Sequence, residues 1–219
     1  MKEGLLAYGG DLNPDRVLMA YRQGIFPWYN EGDPILWWSP DPRLLLYPEK
    51  FKIHRSLRKK LRHGHYKIKL DRNFVDVMRH CANVPRHGQN GTWILPEVVE
   101  SYSMLHAQGF AHSVEVYDEE DRLVGGLYGV SVGTAFFGES MFSLQPDSSK
   151  IALAHMVELA KLWKFDFIDC QIPSDHLIRL GAECVDRDRF LDELEETQKK
   201  PGVPGDWREH ESSIEAITW

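Results

Sequence analysis

The sequence of 219 residues lacks any run of about 18 apolar residues, so it predicts no membrane-spanning helix. It also lacks internal repeats and low-complexity tracts. Cysteines are few and odd in number (Cys81, Cys170 and Cys184), which is typical of reduced thiols in a cytoplasmic protein. The first residues, MKEGLLAYGGDLNPD, become acidic and polar too early for a signal peptide. We therefore expect a cytoplasmic protein.

Acidic residues outnumber basic ones, and the formal net charge of -7 argues by itself against binding to nucleic acid. The distribution of charge points the other way. Residues 50–72 contain ten basic side chains and one acid, a net charge of +9 that leaves -16 for the rest of the chain. A basic patch on an acidic protein can hold phosphates while the remaining surface repels other polyanions. A solvated basic helix explains the same pattern equally well.

The pattern of helix and strand signals divides the chain into three parts. Residues 13–24 predict a helix, because Asn13 can cap its start and Gly24 can end it. A segment rich in proline and tryptophan and a basic helix over residues 55–62 follow. We assign these elements to a small N-terminal domain over residues 1–62. A regular α/β domain over 63–198 and a loose tail over 199–219 complete the chain.

The order of elements in the second part predicts its fold. Residues 112–143 indicate three antiparallel strands, which a long amphipathic helix, a strand, a short helix and another strand follow. This order resembles that of GNAT-type acyltransferases, in which the strand after the central helix splays from its neighbour and opens a cleft. We therefore predict an α/β (α+β) fold with a mixed, mainly antiparallel sheet.

The start of the central helix argues against acetyl-CoA as the donor. Acetyl-CoA enzymes of this fold place a glycine-rich loop there to bind pyrophosphate. The corresponding segment here, SLQPDSSKIA, contains no glycine. We predict no cofactor.

The strand after the central helix, within FDFIDCQIPSDH, carries an unusual pair of polar residues. Phe165, Phe167, Asp169 and Gln171 follow one another at intervals of two residues. All four are therefore expected on one face of the strand. Burying an unpaired carboxylate is costly. The pair therefore needs a buried partner, a solvent-filled cleft or a catalytic role.

Eight segments resemble, in order and spacing, the leucyl/phenylalanyl-tRNA–protein transferases: GLLAYGGDL, YRQGIFPWY, ILWWSPDPR, GTWI, HSVEVY, GGLYGV, FGESMFS and DCQIPSDH. The resemblance covers residues 4–195. It implies transfer of Leu or Phe from charged tRNA to the N-terminal amine of proteins that begin with Lys or Arg, which tags them for degradation. Two alternatives remain open, a related transferase that acts on acidic N-termini and a non-catalytic RNA-binding module. A monomer without a membrane partner is expected.

The resemblance also assigns roles to residues. By this match the adenosine of the donor lies between Trp28 and Trp93, and Gln171 lies beside the attacking amine, where Asp169 orients and polarises it. Glu139 matches an acid near the aminoacyl group. The aminoacyl pocket is matched by Leu127, Phe136, Met141 and Met156. Each of these residues taken singly could instead belong to an ordinary core or an exposed turn.

Two further site predictions come from residue type alone. The basic patch makes its helical residues candidates for binding tRNA phosphates, namely Arg55, Arg58, Lys59, Lys60 and Arg62. The neighbours His80, Cys81 and His87, and the pair His63 and His65, do not have the spacing of a zinc signature. No metal site is predicted.

Overall fold

The computed structural model describes residues 4–84 and 92–219. The first elements are β1 (Leu5–Tyr8), α1 (Pro14–Arg22), β2 (Phe26–Pro27), β3 (Leu36–Trp38), β4 (Arg43–Leu46), α2 (Arg55–His63), β5 (Lys67–Leu70), α3 (Phe74–Asn83) and α4 (Pro96–Ala107). They are followed by β6 (Ala111–Tyr117), β7 (Leu123–Val132), β8 (Ala135–Ser143), α5 (Ser148–Leu162), β9 (Phe167–Gln171), α6 (Asp175–Arg179), β10 (Glu183–Val185), α7 (Arg187–Gln198) and α8 (Ser212–Glu215). Short 3-10 helices span Pro48–Lys50 and Trp207–His210.

The strands form two sheets. A small sheet has the order β1-β3-β2, and a seven-stranded sheet has the order β10-β4-β9-β8-β7-β6-β5. Every neighbouring pair of the large sheet is antiparallel except β8 and β9, which are parallel. The predicted mixed, mainly antiparallel sheet is confirmed, with β6, β7 and β8 as the three antiparallel strands.

Local sequence accounts for helices α1 and α5. The side chain of Asn13 accepts a hydrogen bond from the Asp15 N–H, so α1 begins as its cap predicts. Its apolar stripe of Val17, Leu18 and Tyr21 is buried. Helix α5 packs against β6 and β7 and buries residues on most of its surface, as expected for a central helix covered on both sides.

Strands β8 and β9 separate along their length. They pair only between Ala135–Phe137 and Phe167–Asp169, although β8 continues to Ser143 and β9 to Gln171. The strand after the central helix thus splays from its neighbour, as the element order predicts. A gap opens beyond the last paired residues.

Strand β4 lies in the large sheet between β9 and β10. The large sheet therefore takes a strand from residues 1–62, which the sequence assigns to a separate domain. Among the described residues, no helix has both the length and the apolar composition needed to cross a bilayer.

The last residues differ from the expected loose tail. Trp207 is completely buried, its ring stacks on His112 at 3.9 Å, and its backbone N–H donates to Asp71 at 3.1 Å. The indole of Trp163 donates to Ser213 at 3.2 Å. Proline, glycine and charge in residues 201–219 predict a loose tail, but one large indole buries enough apolar surface to fix this segment.

Candidate active site

A cavity of about 350 Å³ occupies the gap between β8 and β9. Eight of the residues that the sequence assigns to a catalytic, adenosine or aminoacyl role line it: Trp28, Trp93, Leu127, Phe136, Glu139, Met141, Met156 and Gln171. They come from segments spread between the small sheet and β9. Asp169 does not line the cavity. The cavity is therefore a single candidate active site in which most, but not all, of the predicted residues meet.

One part of the cavity is apolar. Leu127, Phe136 and Met156 are almost fully buried around it, and Leu153 and Ile168 extend the same surface. A methionine side chain adapts to ligands of different shape because it is unbranched and flexible. This part can accept a branched or an aromatic side chain, and it offers nothing polar to a charged one.

Two tryptophans form another part of the lining. Trp93 is 8% exposed, and Trp28 is partly exposed. Trp38 supports Trp28, because its indole N–H donates to the Trp28 carbonyl at 2.7 Å and the ring centroids lie 5.8 Å apart. Indole faces at a cavity are suited to stacking against a base.

Gln171 has a strained backbone and an oriented amide. Its φ is +65°, a conformation that residues other than glycine seldom adopt. The Gln171 N–H donates to the Asp169 carboxylate at 2.8 Å, which holds this conformation. The side-chain nitrogen Nε2 donates to Glu139 at 2.7 Å. An amide that donates through its nitrogen in this way presents its carbonyl oxygen as an acceptor.

Asp169 has a buried partner on the neighbouring strand. Arg43 is 0% exposed and contacts both carboxylate oxygens, with Nε to Oδ1 at 2.9 Å and Nη2 to Oδ2 at 2.6 Å. It also donates to the Gly24 carbonyl at 3.0 Å and lies between the rings of Phe26 and Phe190. A bidentate pair of this kind satisfies a carboxylate without solvent.

A bulge explains why Asp169 and Gln171 do not share a face. Leu44 and Leu45, adjacent in β4, stand opposite Gln171 and Asp169, so Cys170 is an extra residue in β9. A bulge re-aims the side chains that follow it. Asp169 is directed to Arg43, whereas Cys170 and Gln171 line the cavity. The contact between Asp169 and Gln171 runs through the backbone and not between the two side chains.

Glu139 is the acidic residue of the cavity lining. Burial raises the pKa of Glu139 to about 8, and the negative charge of Asp169 contributes to the increase. Hydrogen bonds from Tyr21 and Gln171 and the charge of Arg43 act in the opposite direction on this pKa. Its ionisation therefore falls within the working range of most enzymes, a property common at functional sites.

The basic helix α2 lies apart from this cavity. Arg55, Arg58 and Lys59 are exposed, and Leu57 is its buried anchor. Lys60 donates to Asp147 at 2.6 Å, and Arg62 donates to the Trp219 carbonyl at 2.7 Å. Three of the five predicted phosphate-binding residues thus extend into solvent, and two are engaged in contacts within the chain.

Asp71, His106 and His112 form the one group of potential metal ligands found within residues 4–84 and 92–219. Their contacts are those of a hydrogen-bond network. His106 Nδ1 lies 2.8 Å from the Ala111 carbonyl, and both nitrogens of His112 face oxygen acceptors. These contacts account for the positions of the two rings as parts of a hydrogen-bond network around Asp71. His80 stacks on Phe142, and His87 lies outside the described residues.

Known proteins are similar in sequence to this chain over almost its full length. The family model for leucyl/phenylalanyl-tRNA protein transferases matches residues 45–195, and the model for the N-terminal domain of the same enzymes matches residues 10–41. The chain belongs to this family. The two models divide the chain between residues 41 and 45, upstream of the predicted boundary at residue 62.

Individual relatives agree. The leucyl/phenylalanyl-tRNA–protein transferase of Maridesulfovibrio salexigens is 52% identical over 99% of this chain and 90% of its own length. That of Myxococcus xanthus is 54% identical over 95% of this chain and 88% of its own. Among solved structures, L-PGS from Bacillus licheniformis has 12% identity and a TM-score of 0.45 over 62% of this chain and 48% of its own.

Family membership makes the chain an aminoacyltransferase that uses tRNA, so the alternative of a non-catalytic RNA-binding module is wrong. Sequence reasoning missed several residues that shape the cavity of this transferase. Cys170 and Leu153 line it, and Arg43 neutralises Asp169. A signal for Arg43 existed, because a buried carboxylate requires a cation and Arg43 opens the apolar strand RLLL.

Proposed function

We propose that this transferase moves Leu or Phe from its charged tRNA to the N-terminal amine of proteins that begin with Lys or Arg. The observation that carries the proposal is the single cavity, in which two indoles, an apolar end and the Gln171–Glu139 pair meet. The product has a destabilising N-terminus that proteolytic machinery recognises. The reaction takes place in the cytoplasm, where charged tRNA is available.

The donor fits the cavity in two parts. Its 3'-adenosine stacks on Trp28 and Trp93, where base–aromatic stacking contributes about 1–3 kcal/mol per base. Its aminoacyl side chain enters the apolar part, which Leu127, Phe136, Met141 and Met156 line. The names of the relatives specify leucyl and phenylalanyl donors, and a methionine-lined pocket suits both shapes.

The acceptor amine meets Gln171. The amine nitrogen attacks the ester carbonyl, the new C–N bond forms as the ester C–O bond breaks, the nitrogen loses a proton, and the ribose 3'-oxygen gains one. Gln171 Oε1 accepts a hydrogen bond from the amine and aims its lone pair, because a carboxamide is too weak a base to remove the proton. The Asp169 carboxylate positions Gln171 by accepting a hydrogen bond from the backbone N–H of Gln171.

The charge of the cavity favours a basic acceptor over an acidic one. Glu139 faces the cavity with a titratable carboxylate, whereas the charge of Asp169 is compensated by Arg43. An ionised Glu139 attracts the amine and the Lys or Arg side chain beside it. It repels an N-terminal Asp or Glu, which disfavours the alternative of acidic acceptors.

The tRNA body and the small N-terminal domain also have roles in this proposal. Exposed Arg55, Arg58 and Lys59 hold phosphates of the tRNA, with Lys60 and Arg62 beside them. The enzyme is expected to work as a monomer. The segment before β4 acts as the small domain, and its Trp28 closes one side of the cavity.

The test is a transfer assay with labelled Leu-tRNA or Phe-tRNA and peptides that differ in their first residue. We expect label on a peptide that starts with Arg, and none on its N-acetylated form. Label on a peptide that starts with Asp instead would establish the acidic-acceptor alternative. Transfer to neither peptide would refute the proposal, and acetylation of peptides by acetyl-CoA at a comparable rate would replace it.

A further inference from the structure

A second, smaller cavity lies beside helix α2. Its volume is about 250 Å³, and residues from the starts of α2 and α5 and from α6 line it. The charged and titratable side chains of this second cavity are those of His54, Asp147, Lys150, His176 and Arg179. None of them lines the active-site cavity.

Positive charge dominates the second cavity. Among the described residues that line it, Asp147 is the single acid, and both Lys60 and Lys150 donate to its carboxylate, at 2.6 and 2.7 Å. Arg179 has no ion pair in the part of the chain that the structure describes. Three cations thus face one carboxylate. An anion that enters meets an uncompensated guanidinium, the group that binds phosphate best.

The imidazole of His176 is subject to the same positive field. Burial lowers the pKa of His176, and the charges of Lys150 and Arg179 lower it further. The ring is therefore neutral at neutral pH, and one of its nitrogens still carries a proton that it can donate. The second cavity thus combines a neutral donor with two cations, and the oxygens of a phosphate accept hydrogen bonds from all three.

The position of the second cavity connects α2 with the active-site cavity. Helix α6 directs His176 and Arg179 to the second cavity and Leu177 to the active-site cavity. On α5, Lys150 lines the second cavity, whereas Leu153, about 4.5 Å further along the helix axis, lines the active-site cavity. Helix α2 forms another side of the second cavity. A ligand that extends from α2 to the active site therefore passes it.

We propose that the second cavity binds a phosphodiester of the single-stranded 3' end of the donor tRNA, through Lys150, His176 and Arg179. The inference rests on the proposed function, in which α2 holds phosphates of the tRNA while Trp28 and Trp93 hold the terminal adenosine. The strand that joins these two places carries one negative charge per nucleotide. A phosphate held between them fixes the direction from which the adenosine enters the active-site cavity.

The experiment measures the binding of donors of three sizes, made unreactive by an amide in place of the ester: charged tRNA, an aminoacylated CCA trinucleotide, and an aminoacyl-adenosine without phosphate. The double variant Lys150→Met, Arg179→Gln removes two cations of the second cavity. The matched control is Lys161→Met, Arg22→Gln. Lys161 has an i,i+3 ion pair on α5, as Lys150 has, and Arg22 lies in the last turn of its helix, as Arg179 does. Neither control residue lines the second cavity.

We expect the double variant to bind the trinucleotide and the charged tRNA about tenfold more weakly than the wild type, because a charge-assisted contact is lost. The aminoacyl-adenosine, which has no phosphate, should bind equally well. For the trinucleotide, the slope of log K against log salt concentration should become shallower by about 0.7, the contribution of one phosphate on a single strand. The control should match the wild type with every donor.

Trinucleotides with one neutral methylphosphonate linkage identify the phosphate that is bound. Neutralising one of the two linkages should weaken binding to the wild type about tenfold and leave binding to the double variant unchanged, because that contact is already lost. Inorganic phosphate is the competing ligand. Tighter binding of inorganic phosphate than of the trinucleotide would mean that the second cavity serves a free phosphate and not the tRNA.

The inference is overturned if the wild type does not bind the trinucleotide, if neither methylphosphonate linkage weakens binding, or if the double variant binds the trinucleotide as the wild type does. Equal loss of the aminoacyl-adenosine, or an equal effect of the control, would also overturn it. The methylphosphonate comparison uses wild-type protein and so decides the question independently of the folding of any variant. A wild type that binds the trinucleotide as expected but transfers nothing would refute the proposed function and leave the phosphate site in place.

Discussion

At the scale of single residues, the site depends on one amide in a conformation that the chain does not favour. Gln171 has a φ of +65°, which costs about 1–2 kcal/mol for a residue with a side chain. Asp169 and the bulge at Cys170 impose this conformation. Strain that surrounding contacts maintain at a cavity is a reason to assign function to the strained residue.

Gln171→Ala should leave the fold and donor binding near normal and slow the transfer step. Loss of an orienting hydrogen bond in a catalytic site costs about 2–4 kcal/mol in the barrier, or 10²–10³ in rate. Single-turnover transfer, measured beside tRNA binding and thermal unfolding, checks this. Trp28→Ala and Trp93→Ala are the contrasting variants, since they should weaken donor binding first. Near-normal transfer by folded Gln171→Ala would make the Asp169–Gln171 contact structural only.

Arg43 compensates the buried charge of Asp169. Arg43→Met should lower the free energy of unfolding by about 3–5 kcal/mol, because it leaves Asp169 buried without a cation. The double variant Arg43→Met, Asp169→Leu should regain stability but not activity. The backbone N–H of Gln171 then has no carboxylate at position 169 to which it can donate. Urea unfolding measures the change. Arg79→Ala, which removes an exposed ion pair with Asp76, is the control and should cost less than about 1 kcal/mol. Equal losses of unfolding free energy in Arg43→Met and Arg79→Ala would show that the buried ion pair has no special structural role.

At the scale of helices and strands, the order of elements predicted the splayed strands, and family resemblance predicted eight residues of the cavity. The alternation rule failed within β9. It placed Asp169 and Gln171 on one face, whereas the extra residue Cys170 separates them. Neither glycine nor proline marks this bulge in the sequence. Arg43 and Asp169 are 126 residues apart, so no local pattern could pair them.

Helix α2 is the element on which the tRNA prediction depends. Charge reversal of Arg55, Arg58 and Lys59 to Glu should weaken binding of charged tRNA and flatten its salt dependence. An aminoacyl-adenosine analogue without the acceptor stem should bind as before. The matched control reverses three exposed charges elsewhere, Arg16, Lys164 and Lys199, so that the net charge changes equally. Titrations at several salt concentrations measure both ligands. Equal loss with the control would mean that net charge, and not α2, governs binding.

At the scale of the whole molecule, the last residues of the chain support the cavity from a distance. Trp207 contacts Phe136, which lines the apolar part, at a centroid distance of 5.7 Å. Its backbone N–H is anchored on Asp71 and its ring on His112, both in the first half of the large domain. Composition alone predicted a loose tail because it averages over residues, whereas burial of one indole decides the outcome. Only the fold brings this segment behind the cavity.

Trp207→Ala should therefore change both stability and the choice of donor. Truncating a fully buried tryptophan costs about 3–5 kcal/mol. The space left beside Phe136 lets its ring move away from the cavity, so transfer of Phe should gain relative to Leu. Unfolding in urea and the ratio of kcat/KM for Phe-tRNA and Leu-tRNA measure the two effects. Trp163→Ala is the control, because Trp163 contacts Trp207 at 4.7 Å but does not line the cavity. It should lose stability with an unchanged ratio. A folded Trp207→Ala enzyme with the wild-type ratio would show that the aminoacyl pocket keeps its shape without this support.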